Sequence, residues 1–283
     1  MTVQTDNLEW DEVKPPAGYG IDWGDPISAG LVACWLFNEG AGASLFDLTG
    51  RSGRAALAAS PTWGQNKLTL NGTTQWGSVG DVSSVNFGGQ NFSFEAILTP
   101  TALVASNNYI ILGKDNTSQR QFYWSFGDSN NPATRMALDW TDNGVNLTAQ
   151  NSASGSVVAN TRYHAIAQRV GNTVEMYLNG VKQTVTNGIG HTGFTSMTDT
   201  TSSLEIGRRQ FPALNQPFVG TMELIRIRSR AMTHGEIMRL YAEPFAGIET
   251  PRRRIISTGA VLTASGAMSI AGAGTLTMAG QST

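Results

Sequence analysis

Between Val174 and Val185 the chain reads VEMYLNGVKQTV, two alternating runs on either side of Asn179-Gly180. Asn-Gly accepts positive φ at both positions, which a two-residue type I′ turn demands, so this segment predicts a β-hairpin. The same grammar of short apolar runs between turn residues recurs along most of the chain. GLVACWLF (30–37), NKLTL (66–70), QWGSVG (75–80), FSFEAILTP (92–100), YIILGK, FYWSFG, RMALDW, VNLTAQ, RYHAIAQRV (162–170), SLEIGRR and FVGTMELIRIRS are the others. In FSFEAILTP, Phe92, Phe94, Ala96 and Leu98 alternate at period two, the spacing that puts them on one face of a strand. Parallel strands would need crossover helices between such runs. Their absence predicts an all-β, antiparallel sandwich.

One helix is expected. THGEIMRLYAEP offers Thr233 as N-cap and Glu236 three residues on, a capping box, with Ile237, Leu240 and Tyr241 on one face and Pro244 as the stop. So short a helix is marginal alone and is expected to dock on the sandwich. Charged residues make up only 14% of the chain and glycine contributes 32 positions, a turn-rich composition that fits strands better than helices. A net charge of -2 argues against a nucleic-acid partner. No run approaches the ~20 apolar residues of a membrane helix, so no membrane partner is expected. The single cysteine, Cys34, rules out an internal disulfide. MTVQTDNLEWDEVKPP lacks a basic segment followed by an apolar stretch, so the expectation is a cytoplasmic product without a secretory leader.

Charge is uneven. Residues 1–30 hold Asp6, Glu9, Asp11, Glu12, Asp22 and Asp25 against Lys14, or -6 + 1 = -5, whereas Pro251 onward holds Arg252, Arg253 and Arg254 and no acid, or +3. The chain accordingly divides into an extended acidic arm (1–29), a sandwich (30–245), and a basic linker with a small-residue tail (246–283). In that tail Val261 and Thr263, Met268 and Ile270, and Leu276 and Met278 fall on alternate positions between glycines. Strands with so little apolar bulk order when they pair with another chain's edge, so Arg252, Arg253, Arg254, Val261, Met268, Ile270, Leu276 and Met278 are candidate assembly residues. A solvated low-complexity end is the alternative.

GLVACWLFNEGAGASLFDLTGRSG, KLTLNGTTQWGSVG, FSFEAILTP, YHAIAQRVGNTVEMYLNGVK, SLEIGRR and FVGTMELIRIRSRAMTHGEIMRLY together resemble laminin-G-like domains of the concanavalin A-like lectin/glucanase jelly rolls. The resemblance runs from about Gly30 to Tyr241 and implies a concanavalin A-like jelly roll. DWGDPISAGLVACWLFNEG and LYAEPFAGIETPRRR further resemble the segments that bracket such modules in tailed-bacteriophage virion proteins. This implies a homo-oligomer, other virion proteins such as a capsid lattice as partners, and the virion as the location.

Some proteins of this superfold are glycosidases with carboxylates at i, i+2 and i+4 of one strand. No strand here reads Glu-x-Asp-x-Glu; Glu95, Glu175, Glu205 and Glu223 stand singly, so no catalytic residue is predicted. The resemblance implies a calcium site at Glu39, Asp47 and Glu223, the last where relatives usually carry Asp. Against it, Asp47 in DLTG is a natural cap for its own turn, and this simpler role is favoured. No cofactor is required. His164, His191 and His234 show no metal-ligand spacing. Surface glycans are a further expected partner, recognised by rings with polar neighbours: Trp124, Tyr123, Trp140 and Tyr109, with Asp128 and Asp139; Trp63, Trp76 and Phe211 flank loops. Many of these rings must be core, and adjacent Tyr123 and Trp124 must face opposite ways.

The functional expectation is a non-enzymatic virion structural protein, a capsid decoration first and a tail or fibre component second, displaying a lectin-like jelly roll. A free-standing carbohydrate-binding lectin is the alternative, and a glycoside hydrolase a distant third.

Overall fold

The computed structural model describes residues 14–104, 107–128, 131–188, 190, 193–210 and 217–249. The assembly candidates Arg252, Arg253, Arg254, Val261, Met268, Ile270, Leu276 and Met278 lie outside these residues, as do the acidic segment before Lys14, His191 and Phe211.

Two antiparallel sheets face each other. The first runs Val185–Asn187, Thr148–Ser152, Asn131–Trp140, Arg120–Asp128, Tyr109–Asp115, Leu204–Ile206, Gly77–Gly80, Ala55–Leu57 and Ser44–Leu45 from edge to edge. The second runs Val181–Lys182, Thr173–Leu178, Tyr163–Val170, Phe92–Pro100, Val219–Arg228, Lys67–Asn71 and Thr62–Gly64. Strand Val219–Arg228 is its spine. One side pairs with Phe92–Pro100 along its length; the other pairs first with Lys67–Asn71 and then, from Ile225, with Leu31–Trp35. The described residues form an antiparallel β-sandwich with one short α-helix.

Strand parity builds the core. Phe92, Phe94, Ala96 and Leu98 point inward with Ala165, Ala167, Ile225 and Ile227 to meet Phe122, Trp124, Leu138 and Trp140 of the facing sheet. Phe94 stacks on Phe122 with ring centroids 4.8 Å apart, and Phe92 on Phe87 at the same distance. The predicted hairpin forms at Asn179 (φ 50°) and Gly180 (φ 76°), with Leu178 opposite Val181. Helix His234–Ala242 carries its capping box: Glu236 N donates to Thr233 Oγ1 and Thr233 N to Glu236 Oε2.

The alternation of FSFEAILTP predicts one buried face, yet Ser93, Glu95 and Ile97 are also fully buried. The reason is a third layer over the outer face of the second sheet. Ile237 and Leu240 of the helix pack with Ile27 on Ile166 and Tyr177, while Phe245 packs on Ile97, Leu224, Leu31 and Cys34. Residues 14–29 therefore differ from the extended arm expected of them. Gly20–Ile21 pairs with Ile248–Glu249, Asp25 caps the turn Pro26–Ser28 and holds Arg239 of the helix at 2.6 Å, and Ile27 is buried. The folded unit thus begins before Gly30 and extends past Ala246.

Beneath that layer lies a buried ionic cluster. Glu95 Oε1 accepts from Arg226 Nη1 and lies 3.1 Å from His164 Nε2, and Glu95 Oε2 accepts from Arg228 Nη1 at 2.7 Å. Arg226 also donates to the carbonyls of Pro244 and Ala246, and Arg228 to that of Ile27. One carboxylate thus orders two cations that clamp both flanking segments onto the sheet. Burial alone would push the Glu95 carboxyl up, but Arg226, Arg228 and His164 outweigh it and hold it well below the carboxylate range. Cys34, on the same face, is a buried free thiol pushed up to about 11 by burial, the behaviour of a packing residue.

Candidate ligand-binding site

Three turns at one end of the sandwich border an open groove of about 350 Å³. The first joins strands Tyr109–Asp115 and Arg120–Asp128 and is shaped by Asn116, whose Oδ1 accepts from the N–H groups of Ser118 and Gln119. The second follows Trp140; there Asn143 Oδ1 accepts from Val145 N and Asn146 N, both at 2.9 Å. The third is the run 198–201 before strand Leu204–Ile206. Asn86, Ser118, Gln119, Gly144, Thr198, Asp199, Thr200 and Thr201 line the space.

The walls are tied to one another by side chains. Gln119 Oε1 accepts from Thr201 N (3.2 Å) and Oγ1 (2.8 Å), Thr198 N donates to Thr141 O at 2.8 Å, and Arg120 reaches Val145 O while pairing with Asp115. Lys114, whose side chain is fully buried, donates to Asn86 Oδ1 (2.6 Å) and Thr200 O (2.5 Å) and pairs with Asp81 at 3.0 Å. Burial lowers its pKa in spite of Asp81. Thr198 Oγ1 is buried with no protein partner. The lining offers amides and hydroxyls, which both donate and accept, and one exposed carboxylate, Asp199.

The predicted glycan residues are not at this groove. Trp124 and Trp140 point into the core, 0% and 1% exposed, with Trp140 stacked on Phe194 at 4.3 Å. Tyr109 is also core, its hydroxyl accepting from Val104 N. Tyr123 and Asp139 do come together on the outer face of the first sheet as cross-strand partners, O–H to Oδ1 2.9 Å, but both are buried. Gly113 lies opposite Tyr123. A Cβ there would come within 2.8 Å of Arg208 O, so the glycine lets Arg209 lie over the sheet, stacked on Tyr123 at 4.1 Å and paired with Asp115. Burial and the Asp139 charge raise the Tyr123 pKa well above its ordinary value. Asp128 ends its strand opposite Asn131. Of the rings expected to flank loops, Trp63 lies in the edge strand Thr62–Gly64 and donates to Gly42 O, and Trp76 carries the Arg208 guanidinium 3.6 Å over its face.

The calcium candidates are engaged by other donors. Asp47 Oδ1 accepts from Cys34 N and Thr49 N, and Oδ2 from Thr49 Oγ1, Arg51 N and Ser52 N. Its carboxylate caps the turn. Glu223 is held in a fork by Arg162, with the nearer Nη2 to Oε2 contact at 2.7 Å. Glu39 accepts from Phe46 N at 2.8 Å, and burial pushes its carboxyl above its ordinary value. No three His, Cys, Asp or Glu side chains gather in metal-binding geometry among the described residues. Asp47→Ala is expected to lower stability by about 1–3 kcal/mol, through the lost cap and the donors left unpaired. Calcium or a chelator should leave the wild-type melting temperature unchanged; thermal melts of both proteins with and without the ion check both statements.

The groove residues were not singled out from sequence. The available signal was the run MTDTTSS at Met197–Ser203, a polar stretch too long for a tight turn between two strands. Ser, Thr and Asn are also ordinary turn residues, which hides a binding loop among structural ones.

A family model described as the concanavalin A-like lectin/glucanases superfamily matches residues 71–238, more than half of the chain. No curated protein matches. Among solved structures, the binding domain of Paraclostridial Mosquitocidal Protein 1 superposes with a TM-score of 0.56 at 14% identity, covering 78% of this chain and 53% of that one. A mutant Trypanosoma rangeli sialidase displaying trans-sialidase activity gives 0.55 at 17% identity, over 76% of this chain and 33% of the sialidase. Domain 4 of AbnA, an extracellular arabinanase from Geobacillus stearothermophilus solved with arabinotriose, gives 0.51 at 16% identity, over 75% of this chain and 98% of that domain. The chain thus spans about a third of the sialidase and about half of the toxin binding domain. At these identities the likeness is one of fold. Among the described residues, no helix is long and apolar enough to cross a membrane.

Proposed function

This chain belongs to the concanavalin A-like lectin/glucanase superfamily, and from that membership we propose a non-catalytic glycan-recognition module, displayed on a phage-like virion through its two flanking segments. The observation that carries the reading is the two-stranded ribbon of Gly20–Ile21 with Ile248–Glu249. Because the pair is antiparallel, with Gly20 opposite Glu249, the chain enters and leaves the folded unit side by side. That side-by-side arrangement supports display through the two flanks, whose sequences carry opposite charge. Capsid decoration is the first assignment, a tail or fibre component the second.

The absence of catalysis is supported by the strand carboxylates. Glu95 is bound by Arg226 and Arg228, Glu175 by Lys182, Glu205 by Arg208 and Glu223 by Arg162. Each is spent on a structural cation. Retaining hydrolysis instead needs an acid and a nucleophile ~5–5.5 Å apart and able to exchange roles. That the arabinanase domain of this fold was solved with arabinotriose fits a binding role for the sandwich. Light scattering on the full chain and on a version ending at Thr250 tests the display reading. The full chain should be a defined oligomer and the shorter one a folded monomer. Two monomers would remove assembly from the flanks and move the free-standing lectin to first place.

A further inference from the structure

We propose that the groove between the 116–119, 142–146 and 198–201 turns is a sugar site that selects neutral, polyhydroxylated ligands. The ligand class rests on the glycan-recognition reading above; the location rests on the groove itself. It lies at the opposite end of the sandwich from the implied calcium positions. On the central strand, Leu98 is level with Met222, next to Glu223, whereas Phe92 is level with Arg169, whose guanidinium holds Gly88 O, Thr195 O and the loop leading to Thr198.

Charge sets the selectivity. Two cations border the lining and both are committed elsewhere: Lys114 to Asp81, Asn86 and Thr200, and Arg120 to Asp115 and Val145 O. The charged lining residue is Asp199, exposed at the rim. A carboxylate there repels phosphate, sulfate and acidic sugars, yet accepts two hydroxyls of a sugar ring at once. Around it Asn86 and Gln119 supply amides, and Thr198 supplies a buried hydroxyl that lacks a protein partner. Such mixed donors and acceptors match a polyol, whose hydroxyls also do both. A volume of about 350 Å³ sits near the floor of the ~300–1,000 Å³ range of small-molecule sites, so the groove takes a chain end or short oligosaccharide rather than a long polymer. The cross-tied walls limit the ordering cost of binding. Among the described residues no aromatic ring lines the space, so affinity comes from hydrogen bonds and small apolar contacts and is low per site.

An array of neutral, sialylated and sulfated oligosaccharides probed with the labelled full chain tests this. Two variants at exposed positions accompany it: Asp199→Asn, which removes the charge, and Ser118→Trp, which fills the groove. The expected result is binding confined to neutral glycans, weakened tenfold or more in each variant at an unchanged melting temperature. Binding only to acidic glycans would overturn the ligand class. Neutral binding that both variants retain would overturn the groove while leaving glycan recognition standing. No binding to any glycan would overturn both.

Discussion

Glu95→Gln is expected to cost about 3–5 kcal/mol of folding free energy, the range for breaking a buried pair so that charge is left uncompensated. The substitution keeps size and shape but strips the one anion between Arg226 and Arg228, both fully buried and both also holding carbonyls of the flanking segments. Two guanidinium groups would then repel each other where water cannot reach. Replacing all three by apolar residues should be far milder, because no charge remains to be stranded. Urea unfolding followed by tryptophan fluorescence measures the difference; a loss under 1 kcal/mol would show that the cluster is not the clamp described.

Acid provides the same test without mutation. The Glu95 pKa is lower folded than unfolded, so its contribution is fully present above the unfolded carboxyl value of ~4.3 and is lost as pH falls from there toward the folded value. Stability should therefore drop steeply below about pH 4.5 in the wild type, with a shallower slope in the Gln variant, which begins lower but has one fewer such proton to take up.

The second large effect is Trp140→Ala, expected at about 3–5 kcal/mol for a large aromatic deleted from a packed interior. Its ring is 1% exposed and stacks on Phe194 with planes 22° apart, and it lies cross-strand from Phe122 in the same layer as Trp124. Any glycan binding, expressed per folded molecule, should be unchanged. A variant with native stability and lost binding would restore Trp140 to the sugar site where sequence reasoning put it.

That misplacement has a physical cause. FYWSFG and RMALDW announce strands, but period-two alternation says only that Tyr123 and Trp124 face opposite ways, not which side is the core. The answer depends on the facing sheet, where Phe94 lies 6.1 Å from Trp124, a contact between residues thirty positions apart. Even the ring turned outward, Tyr123, is not free, because Arg209 covers it from a loop after strand Leu204–Ile206. Local chemistry read far better. The Asn179-Gly180 hairpin, the Thr233/Glu236 capping box and the Asp47 turn cap each depend on a few neighbouring atoms, and each stands where its motif predicts. Of the third layer only the docking of the helix is legible in the sequence; Ile27 and Phe245 sit in segments without periodicity, and their burial follows from tertiary packing.

The most direct test of the whole account is binding to one glycan-coated surface, measured for the full chain and for a chain ending at Thr250. If the sandwich recognises sugar and the flanks assemble it, both bind, no reducing sugar is released, and the full chain holds about 10²–10⁴ times more tightly through avidity. Equal affinities for the two chains, or sugar released by either, would contradict it.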